Sequence, residues 1–257
     1  MEVISFDISG KIAHFRKYYS NNTALSFSIP PRTTIMGILA AIYGMPKGSY
    51  YELFSSQNLD IGIAPLSRMK KTIHRLNFLR VLGPGDFKGR QGRIQTPFEI
   101  VTGNNIKDST IAYRIFLRPL DIPIAVYVQL KDLIRTKGNC FALTLGAANF
   151  NAYISNYQEY VSEEIADLKG FVNFDSAINS EDILEIELEK ETEGTINIVE
   201  EELMPADFVA NYNRELQKMN RMLFSVSSSK LKASLKNSAV IYKLSNEVLI
   251  QTIQFMK

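Results

Sequence analysis

Two short tracts near the start of the chain contain the residue types that bind nucleic acid. The first, HFRKYY at 14–19, alternates cations with aromatic rings. In proteins that bind single-stranded nucleic acid, arginine and lysine contact phosphates while aromatic rings stack on bases. The tract therefore predicts RNA contacts by His14, Arg16 and Lys17. The alternative is a strand end, with Phe15 buried and both cations solvated.

The second tract, SIPPRTTIMGILAAIYG at 28–44, predicts a helix. Apolar residues recur at the i, i+3, i+4 and i+7 spacing of one helix face, as Ile35, Ile38, Leu39 and Ile42. The two prolines exclude helix before them, Thr33 is the predicted N-cap, and Gly44 is the predicted residue after the last turn.

The start of this helix combines three features that suit phosphate. A helix N-terminus presents unpaired N–H groups with a partial positive charge. Arg32 adds a planar guanidinium, and Thr33 and Thr34 add hydroxyls. We therefore expect these three residues to bind the phosphate of the same RNA strand that the first tract contacts. The alternative is a capped helix with nothing bound.

The sequence contains few signatures of catalysis. It has no P-loop, no GxSxG, no HExxH and no paired-cysteine zinc pattern. Metal-independent RNA cleavage needs only a general base and a cation for the phosphate, and a tyrosine can assist. His14 or His74, Lys70 or Lys71, and Tyr43 have suitable side chains, but their spacing does not indicate a site. We expect no metal, no cofactor and no catalysis.

Charge is divided unevenly along the chain. Residues 1–140 contain 19 Lys and Arg against 9 Asp and Glu, a balance of +10, and residues 141–257 contain 10 against 18, a balance of −8. Together they give the net charge of +2. This division favours a polyanion, such as nucleic acid, as the partner of the first half. The alternative is an ordinary solvated surface whose halves differ by chance.

Length and composition predict a globular protein without a membrane partner. The 257 residues suffice for one large domain or two small ones. No apolar run approaches the roughly 20 residues of a membrane span, and MEVISFDISG at the start does not have the regions of a signal peptide. The single Cys140 is expected to be a buried, small apolar residue in a reducing compartment. We therefore expect a cytoplasmic protein.

The hydrophobic periodicity predicts mostly strands. Alternating or short apolar runs predict strands at 4–8, 25–29, 59–64, 111–117, 122–128 and 140–146. A short helix is expected at 128–138, and the segment 68–82 is ambiguous between strand and helix. Glycines and cations predict a flexible basic loop at 83–93. The acidic half is expected to be mostly β, with a hairpin near its end.

The residues of both tracts resemble a known family. HFRK followed by LSFSIPPRTTIMGILAAIYG is similar to the N-terminal signature of the Cas-five family of CRISPR-associated proteins, which are RAMP-superfamily subunits of type I Cascade complexes. TPFEIV…AYRIFL at 96–117 resembles the segment after the family's thumb, and LTLGAANFNA at 143–152 resembles its LG-x-x-x-F element. PADF at 205–208 resembles a short C-terminal motif. The resemblance covers most of the chain and is greatest for the type I-B branch.

The resemblance implies an α+β fold, with a ferredoxin-like (RRM-related) palm, a basic thumb hairpin and a smaller C-terminal β region. It divides the chain into a palm at 1–150, with the thumb at about 68–110, and a β-rich region at 151–257. The basic loop lies where the thumb is expected. The RNA contacts predicted there are Lys70, Lys71, Arg75, Lys88, Arg90 and Arg93.

The resemblance also implies a function. Family members bind the 5′ handle of the guide CRISPR RNA and cap the row of Cas-seven backbone subunits beside the large Cascade subunit, in a complex that binds target DNA. One branch cleaves precursor RNA with a Tyr and an adjacent Lys–His pair. Here His74 follows Ile73 and His14 follows Ala13, so this pair is missing. We therefore expect a non-catalytic RNA-binding subunit; the alternatives are the processing endoribonuclease and a DNA-binding adaptor outside CRISPR systems.

Overall fold

The structure, a computed structural model, is built mainly of antiparallel β-sheet. It describes residues 1–20, 23–89, 91–104, 110–165, 170–188, 197–209 and 214–256. In these residues, two α-helices share a core with the largest sheet. The predicted α+β class is therefore confirmed in this coarse form.

The elements are numbered in chain order. The helices are α1 (Arg32–Tyr43) and α2 (Ile124–Arg135), and two 3₁₀ turns lie at Pro84–Lys88 and Ser180–Asp182. The strands are β1 (Glu2–Gly10), β2 (Ile12–Ala13), β3 (Phe15–Arg16), β4 (Ser26–Phe27), β5 (Leu59–Pro65), β6 (Lys70–Leu79), β7 (Arg93–Thr102), β8 (Ile111–Pro119), β9 (Tyr153–Ile165), β10 (Val172–Phe174), β11 (Ile178–Asn179), β12 (Ile183–Glu187), β13 (Val199–Phe208), β14 (Leu216–Ser225), β15 (Leu231–Leu235), β16 (Ile241–Ser245) and β17 (Ile250–Ile253).

A six-stranded antiparallel sheet forms the centre of the molecule, in the order β17-β16-β9-β1-β8-β5. Four strands of this sheet and the two helices occur along the chain in the order β1, α1, β5, β8, α2 and β9. Each helix therefore connects two strands that are not adjacent in the sheet. In the sheet, Ile4 of β1 lies opposite Leu117 of β8 and Glu159 of β9. The sheet contains strands from both sides of residue 150, and the division of the chain at that residue stays a prediction.

Both faces of this sheet are covered. Because successive residues of a strand point to opposite faces, one face of β1 is apolar and lies in the core with α1 and α2. Its buried residues are Ile4, Phe6 and Ile8. On the opposite face, Phe116 of β8 packs in a second cluster with Phe255. Phe255 thus covers part of the face that the helices leave open, and the next residue, Met256, joins the edge of the sheet by donating its backbone N–H to the carbonyl of Ile61 on β5 at 2.8 Å.

Helix α1 begins one residue before the predicted cap. Its N-cap is Pro31, which makes no side-chain hydrogen bond, so the prediction of Thr33 as the N-cap is wrong. Gly44 ends the helix as predicted, with a φ of 94°, and its N–H donates to the Ala40 carbonyl at 2.9 Å. Glycine adopts this left-handed conformation without the steric penalty of a Cβ atom.

Helix α2 replaces a predicted strand. Residues 124–135 are helical, so the strand predicted at 122–128 is wrong. The physical reason is an apolar face at helical spacing that extends past the predicted strand. Tyr127, Leu130 and Ile134 form that face and are buried.

The segment 140–146 also differs from its prediction. It contains the isolated pairing of Thr144 with Asn151 and does not form the predicted strand. Cys140 is exposed, so its predicted burial is wrong. Its backbone N–H donates to the Ile42 carbonyl of α1 at 3.2 Å, which holds this segment at the surface of the helix.

Strands β6 and β7 form a long antiparallel hairpin with mostly exposed side chains. Its register pairs Lys70 with Thr102 at the base and Leu79 with Arg93 near the tip. The ambiguous segment 68–82 is therefore largely a strand. At the tip, the Asp86 carboxylate accepts the backbone N–H groups of Leu82 and Gly83 at 2.9 and 3.0 Å, and these bonds lower the pKa of Asp86.

The acidic half supplies two three-stranded sheets, β10-β15-β12 and β11-β14-β13. The predicted C-terminal hairpin is present as β16 and β17. Across the described ranges, no helix is long and apolar enough to cross a membrane. The same ranges contain no group of three or more His, Cys, Asp or Glu side chains that could hold a metal ion.

Candidate nucleic-acid interface

A cavity of about 760 Å³ lies beside the first turns of α1. It is lined by both predicted tracts, by the segment 142–147, and by residues of the acidic half that include Phe208 and Arg214. From the tracts, the lining includes His14, Arg16, Thr33 and Thr34. The structure therefore brings these four predicted site residues together.

The first tract is held in place by close backbone contacts. The N–H of His14 donates to the Leu145 carbonyl at 3.0 Å. Gly146 follows with a φ of 91°, and a Cβ atom at that position would lie 1.9 Å from the His14 carbonyl oxygen. Only glycine permits this approach, so the LG pair at 145–146 positions the tract beside the cavity.

His14 is buried and neutral near pH 7. Its ring stacks on Phe98 with 3.9 Å between centroids, and its Nδ1 lies 2.7 Å from the Glu99 carbonyl oxygen. Since a carbonyl can only accept, Nδ1 carries the proton and donates. Burial lowers the pKa of His14 from its ordinary value of 6.5. His14 therefore offers the cavity an aromatic ring, without a cationic charge.

Arg16 is the exposed cation of the first tract. Its Nη2 donates to the Ser20 carbonyl at 3.4 Å, which is a long hydrogen bond. The rest of its guanidinium is available to a phosphate. This position fits the contact predicted from the sequence.

Arg32 has a different environment from the one predicted. Its guanidinium is buried, pairs with Asp207 at 2.5 Å, and donates to the carbonyls of Phe54 and Leu59 at 2.9 and 2.6 Å. Arg32 is not among the residues that line the cavity. The phosphate contact predicted for Arg32 is therefore corrected, because its donors already bind α1 to β5 and β13.

Lys17 and Lys71 are also engaged within the protein. Glu202 of β13 pairs with Lys17 at 2.8 Å and with Lys71 at 3.2 Å, and Glu200 pairs with Lys71 at 3.0 Å. Desolvation by burial acts to lower the pKa of Lys17, but its contacts with Glu202 and Tyr19 together outweigh this effect, so the pKa is raised. The acidic half thus neutralises two of the predicted RNA contacts in the free chain, and their role stays a prediction.

The remaining predicted cations lie on the β6–β7 hairpin. All of those described are exposed: Lys70, Arg75, Lys88 and Arg93. Arg90 lies outside the described residues. The hairpin therefore carries exposed positive charge from its base to its tip, apart from the cavity.

Most of the side chains suggested for RNA cleavage lie outside the cavity. Because β6 is a strand, Lys70 and His74 share a face but lie about 13 Å apart along it, and the helical arrangement that would have joined them is absent. Neither of them lines the cavity, and neither does Tyr43. Among the suggested residues, the cavity contains His14 alone.

Several lining residues had no sequence signal. Arg214 and Phe208 come from the acidic half, and Tyr50 comes from the segment after α1. Arg214 donates from Nε to the Tyr51 hydroxyl at 3.1 Å, which places its charge at the cavity. Their proximity depends on pairings between distant segments, which local patterns do not reveal.

No family model and no curated protein matches the sequence significantly. Among solved structures, a CRISPR protein from Archaeoglobus fulgidus superposes with a TM-score of 0.56 at 15% identity, and the match covers 100% of both chains. The chain has the fold of a CRISPR protein. The resemblance to CRISPR-associated proteins inferred from the sequence is thus confirmed at the level of the fold, and the type I-B subtype stays a prediction.

Two other solved structures are similar over most of their length. One is described as a CRISPR RNA-guided surveillance complex, with a TM-score of 0.48, 10% identity, and coverage of 90% of this chain and 91% of that chain. The other is described as a Cas protein, with a TM-score of 0.48, 12% identity, and coverage of 88% and 95%.

Proposed function

We propose that this chain is a non-catalytic, RNA-binding subunit of a type I CRISPR surveillance (Cascade) complex. It would bind the 5′ handle of the guide RNA and cap the Cas-seven backbone beside the large subunit, in an assembly that also binds target DNA. The observation that carries this proposal is the cavity where HFRKYY and the first turn of α1 converge. The CRISPR-protein fold is consistent with it.

The strand order supports a ferredoxin-like palm. Within the six-stranded sheet, the β-α-β-β-α-β series of β1, α1, β5, β8, α2 and β9 gives the spatial order fourth, first, third, second. That connectivity is the ferredoxin-like arrangement. An RRM-like sheet would bind RNA on its open face, but here the C-terminal segment covers that face, which favours the α1 cavity as the RNA site.

The β6–β7 hairpin fits the role of a thumb. It lies within the range expected for the thumb, and it exposes cations beside apolar side chains such as Leu82 and Phe87, each 72% exposed. Exposed apolar side chains grouped on one element usually mark an interaction surface. In this proposal, the hairpin contacts the guide RNA and the neighbouring subunits.

The experiment measures RNA affinity and RNA integrity together. Purified protein is incubated with repeat-derived RNA in EDTA across a salt series, alone and with the backbone subunit. We expect intact RNA, and a log K that falls with log salt by about 0.7 for each neutralised phosphate. Arg16→Ala should flatten this slope by about 0.7, whereas Arg135→Ala, a surface variant on α2, should leave it unchanged.

Two results would contradict the proposal. Specific cleavage that disappears in His14→Ala or His74→Ala would favour the processing endoribonuclease. Equal affinity for repeat-derived RNA and unrelated DNA, without retention by the backbone subunit, would favour a DNA-binding adaptor.

A further inference from the structure

The cavity beside α1 has the dimensions of a small-ligand site. Its volume of about 760 Å³ lies within the roughly 300–1,000 Å³ of such sites. None of the described residues that line it is Asp or Glu, whereas Arg16 and Arg214 both line it. A cavity lined by two arginines suits one group that bears a phosphate. This group would bind inside the cavity while the rest of the RNA strand passes over the surface.

Thr33 provides an independent indication of a ligand. The residue is 8% exposed and lines the cavity. Within the described residues, neither its hydroxyl nor its backbone N–H has a hydrogen-bond partner. Polar groups at this depth are normally paired, and a helix start favours an anion. A phosphate oxygen in the cavity would satisfy both donors.

Aromatic rings occupy other parts of the lining. Tyr18 lies at the rim and is 51% exposed, and Phe98 lies against His14. Such rings bind nucleobases by stacking, with little dependence on base identity. The cavity therefore combines a phosphate site with surfaces for a base.

We infer that the cavity binds one unstacked ribonucleotide, with its phosphate at Thr33 and Arg16 and its base against Tyr18 or Phe98. This inference rests on the proposed RNA-binding function. It adds that a single nucleotide of the bound strand unstacks from its neighbours and enters the cavity. A free nucleotide has the same chemistry, so the experiment includes one.

The test is photo-crosslinking with repeat-derived RNA that carries 5-iodouridine at one position at a time. We expect crosslinks at one nucleotide position, in peptides that contain Tyr18 or Phe98. Thr33→Val, which removes the hydroxyl but keeps the shape, should weaken RNA binding about tenfold. Ala142→Trp, at a lining position, should abolish the crosslink, whereas Ala148→Trp, at an exposed position outside the lining, should preserve it.

The outcomes separate this inference from the proposed function. Salt-dependent RNA binding with crosslinks spread over many positions, or equal effects of the two tryptophan variants, would overturn the inference alone. Tighter binding of adenosine monophosphate than of the RNA, with no RNA crosslink in the cavity, would show that the cavity binds a free nucleotide and not a nucleotide of an RNA strand. Absence of RNA binding by the unaltered protein would contradict the proposed function itself.

Discussion

Two arginines that look equivalent in the sequence have opposite environments. Arg16 is exposed beside the cavity, while Arg32 is buried against Asp207 and two backbone carbonyls. Arg32 is buried because the fold brings Asp207 of β13, which is distant in sequence, against its guanidinium. At the scale of single residues, the sequence identifies a cation but not what neutralises it.

The first prediction separates the two arginines by stability. Arg32→Ala leaves the Asp207 carboxylate buried without its partner, so the free energy of unfolding should fall by about 3–5 kcal/mol. Arg16→Ala removes an exposed side chain and should change it by less than about 0.5 kcal/mol. Urea titration of both variants measures the difference, and equal losses would show that the buried pair does not stabilise the fold.

The second prediction concerns the pH dependence of stability through His14. Its pKa in the folded protein is lowered by burial from the ordinary 6.5, so below pH 6.5 the unfolded chain binds more protons than the folded one. The stability contribution of neutral His14 is complete above pH 6.5 and is lost as the pH falls toward the folded pKa. His14→Gln should therefore lose less stability between pH 7.5 and pH 5 than the unaltered protein. His74→Gln controls for removal of a histidine, and superimposable pH profiles for His14→Gln and the unaltered protein would refute the prediction.

At the scale of elements, predictions succeeded where one local pattern decides the structure. The alternation at 4–8 is present in β1, and the helical spacing at 35–42 is present in α1. The prediction for 122–128 was wrong because the β-branched and aromatic residues there also belong to a helical face completed by Leu130 and Ile134. Packing against the core decides between the two structures, and a short window of sequence does not contain that information.

The third prediction tests the segment that holds the first tract. Gly146→Ala would place a Cβ atom 1.9 Å from the His14 carbonyl oxygen at a φ of 91°. Backbone strain of this kind costs roughly 1–3 kcal/mol before the clash is added. We expect a loss of stability of at least that size and weaker RNA binding. Gly85→Ala is the matched control, since nothing lies within 4 Å of its added Cβ; similar thermal melting of both variants would count against the contact.

At the scale of the whole molecule, the acidic half acts on the basic half. Glu200 and Glu202 neutralise Lys17 and Lys71, and Asp207 neutralises Arg32. The excess of cations in the first half suggested an external polyanion, but carboxylates of the second half neutralise part of that excess within the protein. The site therefore depends on both halves. The composition of the basic half alone overstates how many of its cations are free to bind RNA.

The fourth prediction concerns the C-terminal segment that covers the sheet. Phe255 is 2% exposed, and the guanidinium carbon of Arg118 lies 5.0 Å from its ring centroid. Phe255→Ala should lower the free energy of unfolding by about 3–5 kcal/mol, through lost burial and the cavity left behind. Val248→Ala, at a position 83% exposed, should have little effect. Chemical denaturation of both variants decides; an equally small loss would mean that the segment adds little to the sheet.

The pairing of Met256 with Ile61 also has a consequence for how the protein is made. A contact between residues so far apart forms late, because the loop-closure entropy must be overcome first. During synthesis, β5 and β8 leave the ribosome long before their covering segment, since translation adds only about 5–20 residues per second. In the nascent chain, the face of β5 and β8 that carries Phe116 and the Asp60–Arg118 ion pair thus stays exposed to water for many seconds, and we expect it to become buried only after the C-terminal segment has been synthesised.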